Sequence, residues 1–355
     1  MRPRRTQGFL CLSFAPPCVF LVICAFSLLD TRGTPLGRLG ASQPLSPEPG
    51  TSAGGASTTE CGSIQSAILT RSVEYCADVP TDYASSSKRY PTLYFLHGLF
   101  ENEQSWIERG GKEILDKARA QGQIGDFLVI LPDAGKTFYV NSFDGRDRYE
   151  DFFIQELVPA IDRKYRTIAD RGERGISGSS MGGYGALHLA MRHSDVFGSA
   201  AAQSAALVPR IPDPLPSDGR WSFYAHVLAG PFGAPLKGSY WEANSPIHLA
   251  EHPERFAGLK LYFDCGDKDR YGFEEGAELL DKILTQKHFP HEFFLRPGNH
   301  GWSYLNQYMK HALLFEWRAL EQGGSGGPNS AGPARLRIKE PHPGREAAVR
   351  DRGGS

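Results

Sequence analysis

The stretch Gly175-Ile176-Ser177-Gly178-Ser179-Ser180-Met181-Gly182-Gly183-Tyr184-Gly185-Ala186 decides the fold of this chain. It contains the pattern G-x-S-x-G over residues 178–182, between a short β-like run and a helical one. A sharp strand-to-helix turn exposes a serine hydroxyl at the mouth of a sheet, beside a base that can activate it. Small residues must flank the serine because the turn brings backbone segments close together. A glycine-rich turn that merely contains serine shows the same pattern, so the partners of Ser180 decide between the two interpretations.

Two later segments supply the partners that such a serine needs, in the order acid and then histidine. Lys260-Leu261-Tyr262-Phe263 predicts a buried strand, and the acidic loop of residues 264–269 follows it. Glu292–Leu295 predicts another strand, which leads into a loop that carries His300 between two glycines. Catalytic groups of open α/β sheets collect at this carboxyl edge of the strands. We therefore predict that Ser180 is a nucleophile and His300 its base.

Three aspartates of the acidic loop compete for the role of the acid. Asp264 adjoins the predicted strand, where its side chain could serve a structural hydrogen bond. Asp269 has the reach of a loop residue that Gly266 sets apart from the strand. We favour Asp269, with Asp267 second.

The segment after an early strand predicts an oxyanion hole. Thr92–Leu96 is an apolar, β-favouring run that stops at His97 and Gly98. In the α/β-hydrolase arrangement one oxyanion N–H belongs to the residue after the nucleophile, here Met181, and the second to the loop after an early strand. Leu99 is the predicted second donor, because Gly98 lets the backbone turn that amide inward. His97 precedes the serine along the chain, so we predict a structural role for it.

Several motifs together resemble one family of α/β hydrolases. They are Tyr94-Phe95-Leu96-His97-Gly98 followed by Trp106, Leu131-Pro132-Asp133 with Tyr139 and Ser142, the stretch Phe152 to Tyr165, Ser177 to Gly183, Tyr240-Trp241 with Asn244-Ser245-Pro246, Gly266-Asp267-Lys268-Asp269, and His300-Gly301-Trp302. The chain thereby resembles the esterase family that includes S-formylglutathione hydrolase (esterase D), feruloyl and acetylxylan esterases of carbohydrate esterase family 1, and the mycolyltransferases. The resemblance implies a Ser180–His300–Asp269 triad with oxyanion amides at Leu99 and Met181. The family's G-x-x-D motif favours Asp269 as the acid.

The alternation of strands and helices predicts an α/β fold with a mainly parallel sheet. Phe127–Leu131 is a continuous apolar strand, and Glu150–Tyr165 carries apolar residues at helical spacing. Together with the resemblance, this predicts an α/β-hydrolase fold: a mostly parallel central sheet flanked by helices, in a single esterase domain over residues 59–321.

In the expected mechanism, substrate lies against aromatic side chains. We expect Trp106, Tyr139 and Trp302 to contact it. The segment from Leu207 to Tyr240, which contains several Pro and Gly residues, is predicted either to cover the site or to be an ordinary surface insertion.

The two ends of the chain differ from its middle. Three arginines within the first five residues precede the apolar run Phe9–Leu29, which predicts a signal peptide over residues 1–30. The run is long and Pro16-Pro17 interrupts it, so an uncleaved N-terminal membrane anchor is the alternative. Residues 31–58 have the composition of a flexible linker, and residues 322–355 that of a disordered tail. We therefore expect an exported protein, periplasmic or extracellular.

Cysteines and cofactor motifs give a weaker signal. Cys61 and Cys76 flank a predicted N-terminal hairpin and would form either a disulfide or two isolated thiols. Cys265 is predicted to be a buried structural thiol. No zinc-site spacing occurs, and Ala134–Thr137 lacks the first glycine of a phosphate loop, where Ile130 stands instead. We expect neither a metal nor a cofactor, and the net charge of −1 gives no reason to expect nucleic acid.

The expected export disfavours one activity of this family, the hydrolysis of S-formylglutathione, because an exported enzyme does not meet that cytosolic substrate. The expected function is therefore a serine esterase that hydrolyses carboxylic esters, with acylated carbohydrate as substrate and feruloyl or acetyl as the acyl group. The alternatives are a thioesterase of the S-formylglutathione hydrolase type, an acyltransferase of the mycolyltransferase type, and a catalytically silent hydrolase-like binding protein. The intact set of serine, aspartate and histidine argues against the last.

Overall fold

A central eight-stranded sheet organises the part of the chain that this computed structural model describes, residues 56–212, 215–216 and 219–323. Its strands are β1 (Thr58–Ser66), β2 (Arg71–Val79), β3 (Thr92–Leu96), β4 (Leu128–Pro132), β5 (Arg174–Ser179), β6 (Ser199–Gln203), β7 (Lys260–Gly266) and β8 (His291–Arg296). The α-helices within these residues are α1 (Ser105–Glu108), α2 (Gly111–Ala120), α3 (Tyr149–Phe152), α4 (Val158–Lys164), α5 (Met181–Arg192), α6 (Gly219–Phe232), α7 (Gly238–Asn244), α8 (Pro246–Leu249), α9 (Phe273–Gln286) and α10 (Trp302–Gly323). Short 3₁₀ helices cover Tyr83–Ser85, Arg171–Glu173 and Pro253–Phe256.

The strand order β1-β2-β4-β3-β5-β6-β7-β8 confirms the predicted fold class. All pairs from β4 through β8 are parallel, whereas β1 and β2 add an antiparallel edge. Strands β3 to β6 are buried along their whole length, as expected for parallel strands covered on both faces. The carboxyl ends of β3, β5, β7 and β8 therefore lie at one edge of the sheet, which is where the candidate site forms.

The predicted strands agree with the observed ones except at their ends. β3 has the predicted bounds, and β4 begins and ends one residue later. β7 is longer than predicted, because Asp264, Cys265 and Gly266 pair with β8, and Asp264 also pairs with Gln203 of β6. Asp264 is thus a strand residue and not part of the acidic loop.

The helix predicted over Glu150–Tyr165 consists of α3, a π-helical turn over Phe153–Leu157, and α4. Pro159 lies in the first turn of α4 and has no backbone N–H to donate to the preceding turn. The amide of Val158 instead bonds to the carbonyl of Phe153, five residues earlier. The wider turn accommodates the missing donor.

The N-terminal hairpin is the antiparallel pair β1–β2. Its register places Cys61 opposite Cys76, and the two form a disulfide. The structure thereby decides between the disulfide and the pair of isolated thiols. Cys265 is a buried free thiol, as predicted.

The predictions for residues 1–30 and for nearly all of 31–58 and 322–355 concern residues outside those that the structure describes. Among the helices in the described ranges, none combines the length and apolar character that crossing a membrane requires.

Candidate active site

Ser180 occupies the sharp turn between β5 and α5, with φ 54° and ψ −117°. Two close approaches explain the glycines around it. A Cβ on Gly178 would lie 2.4 Å from the carbonyl oxygen of Gly182, and a Cβ on Gly182 would lie 2.0 Å from that of Leu96. The amide of Ser180 donates to the carbonyl of Gln203 at 3.0 Å. The turn is therefore held by β3 and β6 together, in a conformation that larger residues at 178 and 182 would prevent.

A continuous hydrogen-bonded series connects three side chains from distant parts of the chain. Nε2 of His300 lies 3.0 Å from Oγ of Ser180, and Nδ1 of His300 lies 2.7 Å from Oδ2 of Asp269. Because a carboxylate only accepts, Nδ1 carries the proton and Nε2 is free to accept from the serine hydroxyl. Asp269 is itself fixed by the amide of Tyr271, at 2.9 Å from Oδ1, and by the thiol of Cys265, at 3.7 Å from Oδ2.

The other two candidate acids are engaged elsewhere. Asp264 is buried and accepts from the hydroxyls of Tyr262 and Tyr304 at 2.6 and 2.8 Å. Burial raises its pKa to about 6, although both hydroxyls favour the ionised form. Asp267 accepts from the amide of Gly298 at 3.0 Å and so shapes the loop that carries His300. The geometry places Asp269, the favoured candidate, against the imidazole.

The two predicted oxyanion donors, Leu99 and Met181, border the same cavity as Ser180. Neither of their amides donates to another group within the described part of the chain, so both are available to an incoming oxygen atom. Beneath this loop, His97 is buried; its Nε2 accepts from the amide of Ala134 at 2.9 Å, and its Nδ1 donates to the carbonyl of Gly98 at 2.8 Å. These contacts match the structural role predicted for His97.

A cavity of about 460 Å³ opens beside Ser180 and His300. Helix α6 supplies one wall, with Phe223, Tyr224, Val227 and Leu228, and the start of α9 supplies Phe273. The predicted covering segment over residues 207–240 thus places α6 directly on the site. The walls are largely apolar and aromatic, which is typical of sites that bind small organic ligands.

Of the three aromatic residues predicted to contact substrate, the structure brings only Trp302 to the cavity. Trp106 is 1% exposed and packs against Phe95 under α2, where Gly111 leaves room for its ring. Tyr139 is fully buried, and its hydroxyl donates to the carbonyl of His97 at 3.1 Å. The prediction that Trp106 and Tyr139 contact substrate is therefore wrong. Both are core residues, because their rings fill space beneath the loops of the site.

The sequence did not point to the aromatic residues around the imidazole or to Glu101. The rings of Tyr271 and Phe273 lie edge-on to His300, with centroids 4.8 and 5.4 Å away. They directly follow the Gly266–Asp269 motif, which was the available signal. Glu101 also borders the cavity and was not singled out. In the described ranges, no group of three or more His, Cys, Asp or Glu side chains is placed to hold a metal ion.

The known proteins that this chain resembles are described as esterases. A model of the family described as "Putative esterase" matches residues 66–315. The chain is similar to an endo-1,4-beta-xylanase/feruloyl esterase of Xylanibacter ruminicola, with 36% identity over 116 residues that make up 31% of this chain and 16% of that protein. It is also similar to an acetyl esterase of Caldicellulosiruptor saccharolyticus, with 26% identity over 236 residues, 65% of this chain and 84% of that protein.

Among solved structures, a ferulic acid esterase superposes with a TM-score of 0.64 and 28% identity, over 75% of this chain and 99% of the other. The matched part thus extends over nearly all of that structure. In contrast, it spans about a sixth of the length of the xylanase/feruloyl esterase.

Proposed function

Since this chain belongs to the "Putative esterase" family of α/β hydrolases, as its motifs predicted, we propose that it hydrolyses carboxylic esters with Ser180 as nucleophile. The observation that carries the proposal is the series of hydrogen bonds from Ser180 through His300 to Asp269, at the edge of an aromatic cavity. An exposed serine hydroxyl is a weak nucleophile, and an adjacent imidazole held by a carboxylate is the usual means of activating it.

The first half of the reaction acylates the serine. Nε2 of His300 takes the proton as Oγ of Ser180 bonds to the ester carbonyl carbon, and the carbonyl electron pair moves onto its oxygen. The amides of Leu99 and Met181 stabilise that oxyanion, and Asp269 stabilises the imidazolium. The carbon–oxygen bond to the alcohol then breaks, and the alcohol leaves with the proton from His300.

The second half releases the acid. Water attacks the acyl-enzyme carbonyl while His300 accepts one of its protons, and the oxyanion forms against the same two amides. Its collapse breaks the bond to Oγ, which regains its proton from His300. The cycle leaves a carboxylic acid, an alcohol and the starting enzyme.

The size and walls of the cavity favour a substrate with a bulky acyl or alcohol group. Its volume of about 460 Å³ is far larger than an acetyl group requires, and aromatic walls such as Phe223 and Phe273 suit stacking with an aromatic acyl group. The xylanase/feruloyl esterase and the ferulic acid esterase that the chain resembles are named for such a group. We therefore favour a feruloyl-type ester of carbohydrate over a simple acetyl ester.

A thioester of an acidic thiol is the second candidate. Arg109 and Arg270 are exposed, line the cavity, and form no ion pair within the described part of the chain. Their guanidinium groups would favour a substrate that carries carboxylates, as glutathione thioesters do. This feature supports testing S-formylglutathione beside the oxygen esters.

Export remains part of the proposal. It rests on the basic and apolar pattern of residues 1–30, with a cleaved signal peptide or a retained anchor as the two forms. The Cys61–Cys76 disulfide supports it, because disulfides persist in oxidising compartments and are rare in the cytosol.

The test is hydrolysis of p-nitrophenyl acetate and butyrate, methyl ferulate, acetylated xylan and S-formylglutathione by the purified full-length protein. Ser180→Ala is expected to lose at least about a thousandfold in kcat, because the nucleophile is removed. Ser72→Ala, on β2 near the other edge of the sheet, serves as the matched control and should keep wild-type rates. Turnover that survives in Ser180→Ala would show that another group attacks. Folded protein that turns over no substrate would contradict the proposal.

A further inference from the structure

The side chain of Glu101 joins the loop after β3 to the start of α10. Its Oε2 accepts from the amide of Gly98 at 2.9 Å, and its Oε1 accepts from the indole Nε1 of Trp302 at 2.5 Å. Gly98 immediately precedes Leu99, and Trp302 lies two residues after His300. One carboxylate therefore connects the loop that carries a proposed oxyanion donor to the start of α10, directly after the loop that carries the proposed base.

The backbone around Glu101 forms a tight turn whose geometry needs support. The amide of Glu101 bonds to the carbonyl of Gly98 at 3.3 Å, and Phe100 between them has φ 66°, in the left-handed region. That region is unfavourable for a bulky residue, and Phe100 is also 62% exposed, so little packing holds it there. In such a turn the amide of Leu99 makes no bond of its own, and its direction depends on what holds the turn closed.

The chemistry of the contact requires a carboxylate. Both partners of the side chain, the Gly98 amide and the Trp302 indole, are donors only. A carboxylate offers two acceptor oxygens and satisfies both, whereas a glutamine would turn its own NH₂ group against one of them. The Arg109 guanidinium also lies over the ring of Trp302, 5.8 Å from its centre.

We propose that Glu101 is a positioning residue, which aims the Leu99 amide at the oxyanion by tying the Gly98–Glu101 turn to Trp302. This inference rests on the proposed ester hydrolysis. It predicts that loss of the tie slows the chemical step and leaves substrate binding nearly unchanged, because the oxyanion exists only after attack. A group that acts through its charge alone would behave in the opposite way, since a negative charge beside the oxyanion opposes its formation.

The experiment compares Glu101→Gln, Glu101→Ala, Trp302→Phe and the Glu101→Ala/Trp302→Phe double variant in the full-length protein. Glu108→Gln, an exposed acid on α1, is the matched control and should match wild type. With p-nitrophenyl butyrate, Glu101→Ala is expected to lower kcat about 10- to 100-fold with KM within about threefold, and Glu101→Gln to lower it less. The double variant should be hardly slower than Glu101→Ala, since both changes break the same tie.

A second readout does not depend on turnover. The Nε1–H resonance of Trp302, assigned by its loss in Trp302→Phe, should shift in Glu101→Gln and stay in place in Glu108→Gln. The positioning role would be overturned by any of three results: wild-type kcat in both Glu101 variants, a higher kcat in Glu101→Gln, or a change confined to KM. In each case, turnover by wild type that depends on Ser180 would still support the proposed hydrolysis. Wild-type protein without turnover would overturn both proposals.

Discussion

At the scale of single residues, the site depends on how the acid is fixed. Asp269 follows β7 by three residues, and both of its oxygens are occupied: one by the Tyr271 amide, the other by His300 and the Cys265 thiol. Burial raises the pKa of that thiol, so it remains a donor toward the carboxylate. Asp269 is therefore held in one orientation before substrate arrives, and it selects the imidazole tautomer whose Nε2 accepts from Ser180.

The first residue-scale prediction separates the two acids that the sequence left in competition. Asp269→Asn should lower kcat on p-nitrophenyl butyrate by about a thousandfold or more, because the amide can donate to Nδ1 and favours the wrong tautomer. Asp267→Asn should keep kcat within about threefold, since its carbonyl oxygen still accepts from Gly298. A larger loss in Asp267→Asn than in Asp269→Asn would assign the acid to Asp267.

At the scale of elements, α10 links the site to the back of the sheet. It begins at Trp302 in the cavity and passes across β6, where Glu316 is fully buried and accepts from the Ser199 hydroxyl at 2.5 Å. A Cβ on Gly175 of β5 would lie 2.4 Å from the Glu316 carboxylate, so the glycine makes room for it. Burial raises the pKa of Glu316 to about 8, so the carboxyl is largely neutral at neutral pH.

This packing predicts a pH dependence of stability. The Glu316 carboxyl binds its proton more tightly in the folded chain than in the unfolded one, so its contribution to stability is present below about pH 4.5 and is lost as pH rises through about 8. Glu316→Gln keeps an acceptor for Ser199 and cannot ionise. Its Tm relative to wild type should therefore rise from pH 5 to pH 9 in differential scanning calorimetry. Glu321→Gln, at the exposed end of α10, is the control; an equal pH trend in both variants would disprove the assignment.

At the scale of the whole molecule, the disulfide and the candidate active-site residues belong to different strands of the sheet. The disulfide-linked pair β1–β2 lies at one edge, whereas Ser180 follows the more central β5, and Asp269 and His300 follow β7 and β8 at the other edge. Stability and chemistry can therefore be changed separately.

The corresponding prediction concerns the disulfide. The two cysteines are 15 residues apart, and a loop of that length gives a disulfide worth about 3 kcal/mol in the unfolded-chain entropy model. Cys61→Ala should lower the free energy of unfolding in urea by about 2–4 kcal/mol and leave kcat within about twofold. Dithiothreitol should lower the urea midpoint of wild type to that of Cys61→Ala and leave the midpoint of the variant unchanged. Equal midpoints for oxidised wild type and Cys61→Ala would contradict the prediction.

Much of this architecture was readable from the chain alone. The G-x-S-x-G turn and the apolar strands are local patterns, because backbone geometry and strand burial impose them on neighbouring residues. The order of serine, acid and histidine follows from the order in which the strands of an α/β-hydrolase sheet occur along the chain. Those patterns predicted the fold and named Ser180, Asp269 and His300, which the structure brings into one hydrogen-bonded series. The preference for Asp269 over Asp267 came from its position in the loop after Gly266 and from a family motif.

Only the tertiary structure decided which side chains surround that series. Trp106 and Tyr139 belong to motifs of the site but point into the core, while Tyr271, Phe273 and residues of α6 form the cavity walls. The tie from Glu101 to Trp302 spans 201 positions of the chain. No local pattern encodes such contacts, because the direction of a loop side chain is set by the space that distant elements leave for it. The sequence by itself determined the fold and identified the proposed reacting groups, and the packing of remote segments determined the shape of the space around them.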